Sequence, residues 1–243
     1  SFQDLQHALT LLSAGAVNVV YADTQGNIGY SSQADIPIRE QLDAAHPPYM
    51  VLPGSGGYEW TGALLPDALI PQTFNPERGY VVTANNDPAG LLDDNDALNG
   101  PYLEAIGGPI FLSAIYDVGN RAYRIEELLT GGIEAGGITP ADAMDWQADT
   151  KSRLAVHLVP YLQDAAARRP DLVTPALAEA LEFLAAFQAN GYACTIESQG
   201  CLIFHAWMSY ALNQIFGDET DPALFADLDD ASVPILDGWA VRV

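Results

Sequence analysis

Two adjacent carboxamides, Asn85 and Asn86, stand where a strand should continue. The run before them, Gly79-Tyr80-Val81-Val82-Thr83, is β-branched and aromatic, the composition of a packed, pleated segment, and a strand is expected over Val81 to Ala84. By residue type alone, Asn85-Asn86-Asp87-Pro88 reads as the turn that ends this strand. Arg121 and Arg124 open a helical stretch, where the plain reading is a surface arginine with a carboxylate partner. Asp93, Asp94 and Asp96 crowd carboxylates into a loop, and an acidic loop by itself is a solvated face. With so few neighbouring histidines, Cys194 and Cys201 do not read as a zinc pattern; they fit either a small disulfide in an exported protein or two reduced, packed thiols. His7, His46, His157 and His205 offer no pair at metal-ligand spacing and are read as structural. Trp60, Tyr80, Trp146 and Trp207 are read as core aromatics. Lys151, the only lysine, argues against PLP chemistry and Walker-type nucleotide binding.

These residues need a scaffold, and composition bounds it. A chain of 243 residues with 49% hydrophobic content can build a substantial core. Nine basic against 32 acidic residues give a formal charge of −23, so nucleic acid and anionic membranes would repel it. No apolar run approaches the ~20 residues of a membrane span, and no signal segment opens the chain.

The periodicity predicts two unlike halves, with boundaries at 1–118 and 119–243: strands in the first and helices in the second, an α+β fold. A helix over 1–14 starts from Ser1-Phe2-Gln3-Asp4, a capping-box-like sequence. Val17 to Tyr21 and Asn27 to Tyr30 form a hairpin around Asp23-Thr24-Gln25-Gly26. From Pro37 to Pro76 a long, mostly irregular excursion is expected. Helices are expected over Ala122 to Leu129, from the Thr139 N-cap to about Leu162, over Pro175 to Phe187 and over Leu202 to Phe216, before an acidic tail that includes Asp227 to Asp230.

The order of several motifs then adds a resemblance. Asn18-Val-Val-Tyr-Ala-Asp-Thr-Gln-Gly-Asn-Ile-Gly-Tyr30, Pro37-Ile38-Arg39, Pro53-Gly54, Tyr58-Glu59-Trp60-Thr61-Gly62, Asn75-Pro76-Glu77-Arg78-Gly79-Tyr80 and Ala84-Asn85-Asn86-Asp87-Pro88 together resemble the penicillin acylase family. Arg121-Ala-Tyr-Arg124-Ile-Glu-Glu-Leu-Leu129, Asp149-Thr-Lys-Ser152 and Ala206-Trp207 extend the likeness along most of the chain.

The resemblance implies an N-terminal-nucleophile hydrolase with an α-β-β-α layered core, acting on a linear amide such as the acyl side chain of a β-lactam or an acyl-homoserine lactone. A serine at the start of the family's larger chain is the nucleophile, and its own α-amine is the base. Asn85 matches the oxyanion asparagine, and Arg121 matches an arginine near the nucleophile's amine. No cofactor is required. Calcium is implied at the main-chain carbonyl of Pro48 and the carboxylate of Asp96, with Asp93 and Asp94 as competitors, and partial or no occupancy is expected because other ligands fall outside these residues. Ser1-Phe2-Gln3-Asp4 aligns with a segment inside the larger chain, so the expectation is an internal piece of a periplasmic or extracellular acylase. Its partners would be the upstream segment and the smaller chain, and it would not hydrolyse amides alone. A second reading is a binding or scaffold domain completed by self-association. A third is a compact acylase that uses Ser1.

Overall fold

A capping box starts the chain. Asp4 donates its N–H to Ser1 Oγ at 3.3 Å, while the Asp4 carboxylate accepts from the Ser1 ammonium at 2.9 Å and hydroxyl at 2.8 Å. In the computed structural model, which describes residues 1–13, 15–94 and 96–217, the helix so begun, α1 (Phe2–Leu9), stops short of the expected 1–14 span. Thr10 Oγ1 bonds back to the His7 carbonyl at 2.9 Å, and the N–H groups of Leu11 and Leu12 close on carbonyls three residues earlier, so the helical ladder tightens and ends.

Phe2 anchors α1 to the sheet below. It stacks on Phe74 at 5.1 Å and lies against Tyr21 at 5.5 Å. It also covers Gly29, where an added Cβ would come within 2.6 Å of the ring, so glycine permits the approach. Strands β1 (Val17–Ala22) and β2 (Ile28–Gln33) form the expected antiparallel hairpin, with Val20 opposite Tyr30. Its turn is fixed by Asp23, whose carboxylate accepts from Gln25 N–H at 2.9 Å, Asn27 N–H at 3.0 Å and Asn27 Nδ2 at 2.8 Å. These bonds, the Asn27 side chain first, hold the Asp23 carboxyl at a pKa of about 2.

The excursion from 37 to 76 is more ordered than expected. β3 (Pro37–Arg39) pairs antiparallel with β4 (Trp60–Leu64) through an irregular register, and β5 (Gln72–Phe74) adds to the free side of β2, giving the order β1-β2-β5. Leu65 and Ile70 are buried between them in sequence. Trp60 is not a core aromatic: β4 is exposed throughout, and Trp60 is 67% exposed. A last small pair, β6 (Tyr102–Leu103) and β7 (Gly108–Pro109), completes the described strands of a unit covering Ser1–Tyr116.

A second unit begins at Asp117 and is helical: α2 (Asn120–Glu134), α3 (Pro140–Gln147), α4 (Arg153–Arg168), α5 (Pro175–Ala189) and α6 (Gln199–Phe216). Thr139 caps α3 as expected, accepting from Asp142 N–H at 3.2 Å. The single helix expected from Thr139 to Leu162 is two helices. Ser152 Oγ caps α4 by accepting from Ala155 N–H, Ser152 N–H goes to the Tyr192 carbonyl at 2.9 Å, and Lys151 forms an isolated bridge with Ala193. The break lets residues 150–152 bond outside their own helix, which an unbroken helix could not do.

Leu154, Ala155 and Val159 of α4 meet Leu184 and Phe187 of α5 and Phe204, Met208 and Leu212 of α6 in one buried cluster. Gly200 lets α6 approach α5: a Cβ there would fall 2.4 Å from the Phe183 carbonyl oxygen. Cys194 and Cys201 form a disulfide, resolving the open choice between the two readings. The α+β architecture, with strands first and helices second, is as expected. No described helix is long and apolar enough to cross a membrane. The acidic run Asp227 to Asp230 lies outside the described residues.

Candidate active site

The strand expected over Val81 to Ala84 does not form, and the reason lies in the carboxamides that follow it. Ala84 is buried, and its N–H is taken by Asn86 Oδ1 at 3.0 Å, two residues along, so this donor goes to a local bond in place of a strand partner. Between them Asn85 is exposed and held at φ 63, in the left-handed region where asparagine is enriched among residues with a Cβ. The approach to this reversal is equally pinned. Gly79 N–H bonds the Pro76 carbonyl, and Arg78 both donates to the Tyr80 carbonyl at 3.1 Å and lies over its ring at 4.9 Å.

Beyond Asn85 the chain is fixed by Asp87, which accepts from Ala89 N–H at 2.9 Å and Leu92 N–H at 2.7 Å. A cleft of about 360 Å³ opens beside the segment, among Tyr30, Thr73, Arg78, Val82, Asn86 and Asp87. Burial raises the pKa of Tyr30, and burial followed by the Asp87 charge raises that of Tyr116. An exposed side-chain amide on a left-handed residue whose neighbouring backbone is pinned, beside this cleft, can serve as a hydrogen-bond donor. The sequence pointed to Asn85; the cleft residues Tyr30, Thr73 and Arg78 it did not single out, because they meet only through the pairing of β5 with β2.

Arg121 belongs to the second unit, in the first turn of α2. Its Nε and one terminal nitrogen lie 3.2 and 3.1 Å from Asp117 Oδ2, and its side chain is 59% exposed. Arg124 takes the carboxylate partners expected of a surface arginine. It is bidentate to Asp149 at 2.9 and 2.5 Å and reaches Glu127 at 3.0 Å; Glu127 also pairs with Arg153 and, at 3.6 Å, with Lys151. The Arg124 bonds lower the pKa of Asp149, and for Glu127 the combined cations outweigh a burial that pushes the other way. The motif Asp149-Thr-Lys-Ser152 thus ties the start of α4 to α2.

Pro48 sits half-buried in a turn, and Asp96 is exposed with Oδ1 accepting from Leu98 N–H at 2.9 Å. Asp94 is engaged likewise, by Asp96 N–H and Asn99 Nδ2. No three carboxylates converge among the described residues, whereas Ca²⁺ asks for six to eight oxygens. The residues present do not make a calcium cage, and no step is routed through one. Of the histidines, the His46 ring meets Tyr58 Oη at 2.6 Å, and His205 lies beside the disulfide.

With this geometry in view, the sequence pattern described as penicillin amidase matches residues 1–240. The chain is similar to penicillin G acylase of Escherichia coli, at 40% identity over 72 residues, which is 30% of this chain and 8% of that protein. It is also similar to the penicillin acylase 2 proenzyme of Pseudomonas sp. (strain SE83), at 36% identity over 70 residues, 28% of this chain and 8% of that protein. These matches span less than a tenth of the relatives' length. Among solved structures, a thermostable penicillin G acylase from Alcaligenes faecalis shares the fold, with a TM-score of 0.61 over 92% of this chain and 36% of that one, at 21% identity.

Proposed function

The chain belongs to the penicillin amidase family, and from that premise we propose that it takes part in hydrolysis of a linear amide, the acyl side chain of a β-lactam or acyl-homoserine lactone, with Asn85 as a side-chain oxyanion donor. The observation that carries this reading is the pinned φ 63 conformation of Asn85, exposed between buried Ala84 and the Asn86 carboxamide that bonds back to it. A donor contributes to catalysis when its position is fixed before charge develops, and the backbone that carries this one is pinned on both sides.

In the proposed reaction a serine hydroxyl attacks the amide carbon and the carbonyl electron pair moves onto oxygen, where the Asn85 N–H₂ meets it. The serine's α-amine takes the hydroxyl proton and passes it to the departing nitrogen, leaving an acyl-enzyme that water then cleaves. Ser1 is not that serine in our reading: its hydroxyl and its ammonium are both engaged with Asp4 in the α1 cap. The nucleophile comes instead from the remainder of a larger acylase, in keeping with the 36% of the neighbour's chain that is covered. For Arg121, whose guanidinium is paired with Asp117, the resemblance implies a supporting role near the nucleophile's amine. The disulfide suits an oxidising, periplasmic or extracellular setting.

The test uses the longest active form of the protein and a chromogenic phenylacetyl amide. Asn85→Ala should lower kcat by roughly 10²- to 10³-fold. Asn85→Asp should be at least as harmful, since a negative charge replaces a donor. Unchanged kcat in the alanine variant would remove Asn85 from the mechanism. The chain of residues 1–243 alone should show no turnover; turnover abolished by sulfonyl-fluoride labelling of Ser1 would make Ser1 the nucleophile.

A further inference from the structure

Cys194 and Cys201 are each held in place by something other than the bond between them. Cys194 N–H donates to the Thr150 carbonyl at 3.0 Å, next to the bridge between Lys151 and Ala193. Cys201 lies in the first turn of α6, its N–H donated to the Ser198 cap at 3.3 Å. Their Cα atoms, 5.3 Å apart, are thus each tied to a backbone or cap partner besides the sulfur bond. Four residues after Cys201, on the same face of α6, His205 brings a ring nitrogen to the pair. Its ligand atom and the two sulfurs all lie within 4.8 Å of one another, and no other such group of three appears among the described residues.

We propose that in its dithiol state the chain holds a soft divalent cation of the zinc class at Cys194, Cys201 and His205, and that disulfide formation closes this site. Two thiolates and an imidazole form the mixed sulfur and nitrogen set that zinc prefers. His205 is exposed, so the group is open to solvent on that side. The start of α6 favours the Cys201 thiolate, and a net charge of −23 draws cations to the chain. Binding converts two thiols and M²⁺ into a dithiolate complex and two protons. Closure passes two electrons to a small-molecule disulfide: the two cysteine sulfurs join, the reagent leaves as two thiolates that take up two protons from solvent, and the cation is released because the joined sulfurs carry no thiolate charge.

The experiment takes the tag-free chain of residues 1–243, oxidised or treated with a phosphine, which with water converts the disulfide to two thiols and becomes the phosphine oxide. Co²⁺ is the probe. Expected is a thiolate-to-cobalt absorption in the reduced chain that saturates at one metal per chain, is displaced by Zn²⁺, and is missing in the oxidised chain. Losing a supporting partner of a ligand costs 10–100-fold, so losing the ligand itself in His205→Ala should weaken Co²⁺ binding by roughly 100-fold. No band in the reduced chain overturns the proposal, as does equal affinity in His205→Ala. Far-ultraviolet circular dichroism follows the helices throughout. Helix lost on reduction and not regained with Zn²⁺ also overturns it; helix retained, or regained with the metal, supports it.

Discussion

The Ser1–Tyr116 unit and the unit that begins at Asp117 are held together by different kinds of interaction. In the second, side chains from α4, α5 and α6 close on Phe204, Ala155 and Val159, which expose no surface, and a disulfide and an ion-pair network add cross-links. In the first, the buried residues are scattered along the chain, and the loops are fastened by carboxylates to nearby N–H groups: Asp23, Asp43, Asp87, Asp94 and Asp96 each do this. Shared burial fails as a block, whereas local hydrogen bonds open one at a time. The difference teaches where a fixed but strained residue can live. Asn85 keeps φ 63 because Asn86 and Asp87 hold its own turn through local hydrogen bonds.

The sharpest way to break this comparison is to remove the centre of the helical cluster. Phe204→Ala should destabilise the second unit by about 3–5 kcal/mol, read from the helical signal in a denaturant melt. A loss under about 1 kcal/mol would mean that the cluster is not what holds these helices. Limited proteolysis gives the same contrast without a mutation: cleavage should appear in residues 41–59 before it appears in α4 or α5. Early cuts inside either helix would reverse the comparison.

The ion-pair network supplies a smaller effect. Arg124→Ala leaves Asp149 and Glu127 short of their main partner and should cost about 2 kcal/mol, within the range for charge-assisted hydrogen bonds. The folded pKa values of Asp149 and Glu127 lie below their ordinary values of 3.8 and 4.5. A depressed acid contributes stability that is fully present above its unfolded pKa and is lost as pH falls through the folded one. Stability of the wild type should therefore fall on acidification below about pH 4.5, and more steeply than that of Arg124→Ala. Parallel acid titrations of the two proteins would show that the network contributes nothing.

How far the sequence revealed this division depended on whether the signals were local. The Ser1 and Thr139 caps and the Asp23 turn are written in residues within four positions of one another, and each appears as expected. The break at 148–152 depends on Tyr192 and Ala193, forty residues away, so helical periodicity ran straight through it. The strand predicted over Val81 to Ala84 had the right composition, but a side chain two residues along took a backbone donor. Asn85 was legible as a candidate through the resemblance, while its conformation was not. The pairing of Cys201 with His205 was present as an i, i+4 spacing; only the return of Cys194 past Thr150 makes it a group of three.

The smallest expected effect separates the conformation of Asn85 from its amide. Alanine keeps the Cβ that crowds the following carbonyl at φ 63 but lacks the short polar side chain that lets asparagine occupy this region, so Asn85→Ala should loosen residues 84–92 by about 1 kcal/mol, read as faster amide hydrogen exchange at Ala84 and Leu92. Glycine occupies the same region without that penalty, so Asn85→Gly should leave exchange within about 0.5 kcal/mol of wild type while deleting the same donor. Neither change should move the melt of the α4–α6 cluster, whose contacts lie within the second unit. If the proposed role is right, the two variants lose activity alike in the longest active form although only one loosens its loop. Activity retained by Asn85→Gly alone would show that the reversal of the chain is what matters there, with the carboxamide merely the side chain that tolerates it.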